Sequence, residues 1–138
     1  MQATPAFRVA AGQFVIAALD GKPTVCLKAE RTGKDHVNHF LVPLDPLAEP
    51  RHLRLHYLDP EQELRPAEGF SFSVDATPKQ AAAEVGDVLS RDGALWLKVL
   101  DDPAAQRLYC YVGLACGQIR PRMERQQYIT LGWRLERI

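Results

Sequence analysis

Residues 13–31 read QFVIAALDGKPTVCLKAER, in which two β-rich runs flank Asp20-Gly21. An Asp-Gly pair between two apolar runs is typical of a tight hairpin, because both residues accept the positive φ angles of its turn. Alternate residues of the later run are apolar and are predicted to face the core: Val25, Leu27 and Ala29. The intervening residues are predicted to share the opposite face: Cys26, Lys28 and Glu30.

The same pattern recurs later in the chain, where Asp92-Gly93 separates a run at 87–91 from one at 94–100. Further β-rich runs lie at 36–42, 52–58, 69–75, 107–116 and 127–136. Short runs that recur in this way are typical of a sandwich or barrel. We therefore predict a mainly β fold, a single-domain β-sandwich or barrel over residues 1–138 with about nine to ten short strands.

One short helix is predicted, near residues 78–85. Thr77 can cap this helix and Pro78 suits its first position. The three alanines at 81–83 are strong helix formers. Clean two-residue alternation in the strands on either side of it predicts further core positions: Phe70, Phe72, Val74, Ile129, Leu131 and Trp133.

The composition is that of an ordinary globular domain, since 46% of the 138 residues are hydrophobic and 25% are charged. It excludes disorder, collagen-like repeats and coiled coil as overall descriptions. The 17 basic and 17 acidic residues balance, which argues against recognition of nucleic acid or an anionic membrane by overall charge. Charge is nevertheless uneven: residues 43–75 carry −4, from three basic and seven acidic residues, and residues 107–138 carry +4, from six and two.

The cysteines and the start of the sequence indicate a reducing compartment. No positive cluster precedes an apolar segment there, so a secretory signal is not expected. The longest apolar run, 14–19, is far shorter than the ~20 residues that span a bilayer. The three cysteines are few and odd in number, unlike those of disulfide-stapled secreted domains. We expect reduced thiols, a cytoplasmic location and no membrane partner.

Histidines and cysteines are weak candidates for chemistry. A metal site needs several converging ligands, and its only weak candidates lie on two predicted strands, His36 on one and both His52 and His56 on the other. Cys26 shares its predicted face with Lys28, which would lower the thiol pKa slightly. Cys110 and Cys116 are expected to be small buried hydrophobes. Because no catalytic signature is present, we expect no cofactor and favour a protein that is not an enzyme.

The C-terminal strands carry an aromatic and basic set on the face predicted to point away from the core: Trp96, Lys98, Tyr109, Tyr111, Tyr128 and Arg134. The opposite phase is apolar, includes Leu97 and Leu108, and is predicted to be core. Outward aromatic residues near arginine can stack on bases, on sugars or on a partner's side chains. The alternative is a pair of strands covered on both faces.

These observations leave three functional hypotheses. The leading one is a non-catalytic binding or assembly module, which self-associates into a homo-oligomer or docks a protein partner through the aromatic β-sheet face. The second is a β-barrel that binds nucleic acid or another polyanion through the basic C-terminal third. The third is a small enzyme with a pocket formed by Cys26 and histidines from several strands.

Overall fold

The computed structural model describes residues 3–19, 21–45, 53–75, 77–78, 83–91, 93–102, 108–122 and 129–137. Over these residues the chain is mostly β, with thirteen strands and one turn of 3₁₀ helix at Ala6–Arg8. The mainly β, sandwich-like fold predicted from the sequence is therefore confirmed. Within the same residues, no helix is long and apolar enough to cross a membrane.

The first sheet has six antiparallel strands in the order β1-β6-β2-β3-β4-β5. Their bounds are Thr4–Pro5 (β1), Phe14–Leu19 (β2), Lys22–Thr32 (β3), Val37–Asp45 (β4), His56–Leu58 (β5) and Glu63–Pro66 (β6). The strand count exceeds the predicted nine to ten because strands as short as the two-residue β1 carry no readable alternation.

The second sheet has five antiparallel strands in the order β11-β10-β9-β8-β12. Their bounds are Val88–Arg91 (β8), Ala94–Leu100 (β9), Tyr109–Gly113 (β10), Ile119–Arg120 (β11) and Ile129–Leu131 (β12). A third sheet pairs β7, Phe70–Val74, with β13, Trp133–Arg137.

Both predicted Asp-Gly hairpins are present. Strands β2 and β3 pair up to Leu19 and Lys22, and Gly21 in the turn between them has φ +76°. Strands β8 and β9 pair in the same way around Gly93, which has φ +81°. Because glycine has no Cβ, it adopts these angles at little steric cost, and each turn is determined by its local sequence.

The main core lies between the first and second sheets. Its buried side chains include residues from both: Leu27, Ala29, Phe40 and Val42 from the first, and Val88, Leu97, Val99, Cys110 and Val112 from the second. The predicted core positions Val25 and Leu27 are buried. Others are only partly buried, because they lie at the margin of this core: Phe72, Val74, Leu131 and Trp133. Phe70 is also only partly buried. The side chain of Ile129 lies outside the described part of the chain.

The other face of the first sheet is covered by residues 6–12, which follow β1 and are here called the strap. Within it, the Ala6 N–H donates to the Gln62 carbonyl at 2.8 Å and the Gly12 N–H donates to the Lys28 carbonyl at 2.8 Å. A second buried cluster lies between the strap and the sheet: Ala6, Val9, Val15, Ala17, Cys26, Leu41, Leu58 and Leu64. Cys26 and Lys28 thus share a face as predicted, but the strap buries that face completely at both residues.

Two further expectations need correction. Residues 79–82 of the predicted helix lie outside the described residues, and Pro78, Ala83 and Glu84 on either side of them are not helical. Leu108 was predicted to be core, but it is 64% exposed. It precedes β10, and the ladder between β9 and β10 ends at the pair of Leu100 with Tyr109, so no strand that the structure describes covers it.

Candidate functional site

The candidate site is the face of the second sheet that points away from the main core. Strand register places Lys98 opposite Tyr111, and Tyr111 opposite Arg120 on the other side. Residues paired directly across antiparallel strands share a face. We call the resulting set the outer aromatic face, and it comprises Trp96, Lys98, Tyr109, Tyr111 and Arg120. The alternation predicted for β9 and β10 is therefore correct, because the residues of the opposite phase lie in the main core: Leu97, Val99, Cys110 and Val112.

Two cation–aromatic pairs organise this face. The Lys98 Nζ lies 4.5 Å from the centroid of the Tyr109 ring, and the Arg120 Cζ lies 4.9 Å from the centroid of a Trp96 ring. Such pairs contribute about 0.5–1 kcal/mol each at exposed sites. They hold both cations against flat aromatic surfaces.

The inner end of this face is covered. Trp96 is only 8% exposed and packs in a small cluster with Ala83 and Leu89, with the partly buried Tyr111 beside it. The Lys98 Nζ donates to the Ala83 carbonyl at 3.1 Å. The expectation of an exposed tryptophan is therefore wrong, and at this end the alternative of strands covered on both faces holds, because the chain around Ala83 packs over the sheet.

Burial also changes the electrostatics of Lys98. Desolvation lowers the pKa of Lys98 below its ordinary value, while the nearby carboxylates of Asp87 and Glu84 act in the opposite direction. The ammonium is thus held by a carbonyl, an aromatic ring and two anions, so it serves mainly to fix Tyr109 and the covering segment.

The outer end of this face is open. Tyr109 is 41% exposed, and the neighbouring Leu108 is 64% exposed. Arg120 is exposed on β11, opposite Tyr111, and Arg122 is exposed after that strand. The consecutive residues Leu108 and Tyr109 therefore leave apolar surface accessible at the end of the sheet.

The structure does not bring all of the predicted residues together. Arg134 lies on β13 of the third sheet and is paired with Glu136, whose Oε1 is 2.7 Å from the Arg134 Nη2. Tyr128 lies outside the described residues. Arg120, by contrast, enters the sequence prediction only as one of the six basic residues of the C-terminal third. It lies on the two-residue strand β11, which is too short for alternation to predict which face of the sheet its side chain occupies.

The thiols do not form a reactive site. All three cysteines are unpaired. Burial raises the pKa of Cys26 to about 12, so the expected lowering by Lys28 is wrong. Burial, helped by Asp101, also raises the pKa of Cys110 to about 12. Cys116 is exposed rather than buried, because it lies in the turn between β10 and β11.

The histidines do not converge either. Strand β5 pairs with β4 and places His56 opposite Leu41, which is five residues from His36 and therefore about 16 Å away along a strand. His52 lies outside the described residues. Among the residues that the structure describes, no group of three histidine, cysteine or acidic side chains is placed to hold a metal ion.

Comparison with protein-family models, with curated proteins and with solved structures found no match to this chain.

Proposed function

We propose that the protein is a non-catalytic assembly module that docks a second copy of itself through the open end of the outer aromatic face. The observation that carries this proposal is the exposure of the consecutive residues Leu108 (64%) and Tyr109 (41%) at a sheet end, with the exposed Arg120 on the neighbouring strand β11. Tyrosine and arginine are enriched at protein interfaces, where a rigid aromatic side chain buries area at little entropic cost.

Charge complementarity favours a second copy as the occupant. The turn between β5 and β6, together with the first residue of β6, exposes three acidic residues: Asp59, Glu61 and Glu63. Arg120 and Arg122 are exposed on and after β11 of the second sheet. Each copy thus presents both an acidic and a basic surface, and the net charge of zero means that copies do not repel one another at long range.

The apolar contacts supply most of the proposed binding energy. Burying a tyrosine or leucine side chain is worth about 1.5–3 kcal/mol, whereas exposed ion pairs contribute about 0–1 kcal/mol. The arginines therefore set the orientation of the partner and the salt dependence, while Tyr109 and Leu108 set the affinity.

Sedimentation of the wild type and of two variants tests the proposal. At about 100 μM, an interface worth about 6 kcal/mol is substantially occupied, so we expect the wild type to sediment above the monomer mass. Tyr109→Ala should weaken the assembly, whereas Arg134→Ala should not, because Arg134 is exposed on β13 of the third sheet and paired with Glu136. Trp96→Ala is a poor test because that side chain is packed under Ala83.

Two outcomes would count against self-assembly. A wild type that is monomeric at this concentration removes it. If the monomer instead binds a single-stranded oligonucleotide with a steep salt dependence, the hypothesis of a polyanion-binding protein takes its place. The hypothesis of an enzyme with a Cys26 pocket is the least supported, because the pKa of that buried thiol is raised to about 12. The unpaired cysteines support a cytoplasmic location, which we also propose.

A further inference from the structure

A buried lysine fastens the strap to the first sheet. Lys28 is 0% exposed, and its Nζ donates to the Val9 carbonyl of the strap at 3.0 Å and to Glu30 Oε2 at 3.0 Å. An ammonium group in an apolar environment is tolerated only when it is paired and hydrogen-bonded. The closed position of the strap over Lys28 therefore depends on Glu30.

A buried histidine nitrogen, Nδ1 of His39, lies beside this ion pair without a hydrogen-bond partner among the described residues. His39 pairs with Glu30 across β3 and β4, and its side chain is 9% exposed. Its Nδ1 is 3.9 Å from Glu30 Oε2, which is too long for a hydrogen bond, and it has no other partner among the described residues. Burial lowers the pKa of His39, Lys28 lowers it further, and Glu30 opposes them.

Among the described residues, Glu30 is the carboxylate within reach of His39. From β3, Lys28 and Glu30 face it; from β5, the residue directly opposite is the buried Leu58. His56, two residues from Leu58, is exposed. On the strap, Arg8 is exposed and its guanidinium lies over the ring of its neighbour Phe7.

We propose that protonation of His39 draws the Glu30 carboxylate away from Lys28 and thereby releases the strap, while the core between the two sheets stays closed. The added proton, taken from solvent, places two buried cations beside one carboxylate. When Glu30 turns to the imidazolium, Lys28 keeps only the Val9 carbonyl, and its desolvation is no longer offset. Water reaches the Nζ when the strap lifts, so the open form becomes favourable at acid pH.

The pH window follows from the direction of the shift. The pKa of His39 in the closed form lies below its ordinary value of 6.5. The open form therefore binds a proton more readily, and the closed form loses stability as pH falls below 6.5 and through the lower pKa of the closed form. Above 6.5 His39 is neutral in both forms, and the strap is held fully.

The three cysteines lie in three places that distinguish local release of the strap from global unfolding. Cys26 is buried beneath the strap in the second cluster, Cys110 is buried in the main core, and Cys116 is exposed. A released strap admits a thiol reagent to Cys26 alone. Global unfolding admits the reagent to Cys26 and Cys110 together, and the labelling rate at the exposed Cys116 serves as the reference at each pH.

The test is pulse labelling of the whole protein with dithiodipyridine, which reacts with thiols at acid pH, followed by mass spectrometry of the labelled peptides. Between about pH 7.5 and about pH 5, on either side of the ordinary histidine pKa, we expect the rate at Cys26 relative to Cys116 to rise about tenfold. Cys110 should stay protected. His39→Gln should abolish the rise, and the matched control His56→Gln, on the exposed neighbour, should keep it.

Several results would overturn the proposal. These are a rate at Cys26 that does not change with pH, a rise at Cys110 in step with Cys26, or a rise that persists in His39→Gln. Glu30→Gln provides a second variant if His39→Gln does not fold: because Lys28 then lacks its carboxylate, Cys26 should react at the higher rate at pH 7.5 as well as at pH 5, and a rate that still rises as the pH falls would overturn the proposal. The wild type and His56→Gln alone still decide whether opening is local and acid-dependent. None of these measurements depends on self-assembly.

Discussion

The ion pair between the two sheets makes an asymmetric prediction about stability. Both carboxylate oxygens of Asp101 accept hydrogen bonds from the Arg31 Nη2 at 2.8 Å, and Oδ1 also accepts one from the Asp102 N–H at 2.7 Å. The Asp101 side chain is 0% exposed, whereas that of Arg31 is 31% exposed. Removing the arginine therefore leaves a buried anion, but removing the acid leaves a cation that can turn to water.

The magnitudes follow from this difference. Orphaning a buried charge costs about 3–5 kcal/mol. Arg54, whose Nη1 is 3.5 Å from the Asp101 backbone carbonyl, can move toward the carboxylate and limit the loss. We expect Arg31→Met to lower the free energy of unfolding by about 3 kcal/mol. Asp101→Asn keeps the shape and loses only charge-assisted hydrogen bonding, so we expect a loss of about 1 kcal/mol.

Equilibrium unfolding in urea measures these values. The double variant should lose less than the two single variants combined, because a neutral asparagine needs no counter-ion. Arg134→Met is the matched control, since its pair with Glu136 is exposed (67% and 43%) and should change stability by less than about 0.5 kcal/mol. A cost below about 1 kcal/mol for Arg31→Met, or a larger cost for Asp101→Asn, would refute the reasoning.

Two further predictions concern a close backbone approach and the thiols. Gly117→Ala should lower the free energy of unfolding by about 1–3 kcal/mol more than Gly93→Ala does. Both glycines have positive φ (+68° and +81°), but a Cβ at Gly117 would lie 2.2 Å from the Gly12 nitrogen, whereas none of the described atoms lies within 4 Å of a Cβ at Gly93. Equal unfolding free energies for the two variants would contradict this. Alkylation of the unfolded chain without reductant should modify all three cysteines, and a single modified site with a loss of two mass units would contradict both the free thiols and the proposed location.

Those parts of the fold that depend on local sequence could be predicted. The Asp-Gly turns specify both hairpins, because the chain reversal is encoded in two residues. The phases of β9 and β10 could also be predicted, because apolar residues such as Leu97 and Val112 alternate with polar or aromatic ones, and one side of the sheet is the main core.

The parts that depend on distant segments could not be predicted. Lys28 sits at a position that alternation assigns to the less apolar face, and nothing near it in sequence shows that the strap buries it. Trp96 is covered by the chain around Ala83 for the same reason. His39 gave no signal as a candidate, because its importance comes from Glu30 on the neighbouring strand, in a register that only the structure provides.

A photo-cross-linker in place of Tyr109 tests self-assembly most directly. With benzoylphenylalanine at this position and the protein at about 100 μM, irradiation should join two copies, since an interface of about 6 kcal/mol is then substantially occupied. Mass spectrometry should find the second attachment point in the peptide that contains Asp59, Glu61 and Glu63 of the other copy, because these exposed acids face the arginines beside Tyr109 in the proposed assembly. Cross-links confined to single chains at that concentration would contradict assembly through this face.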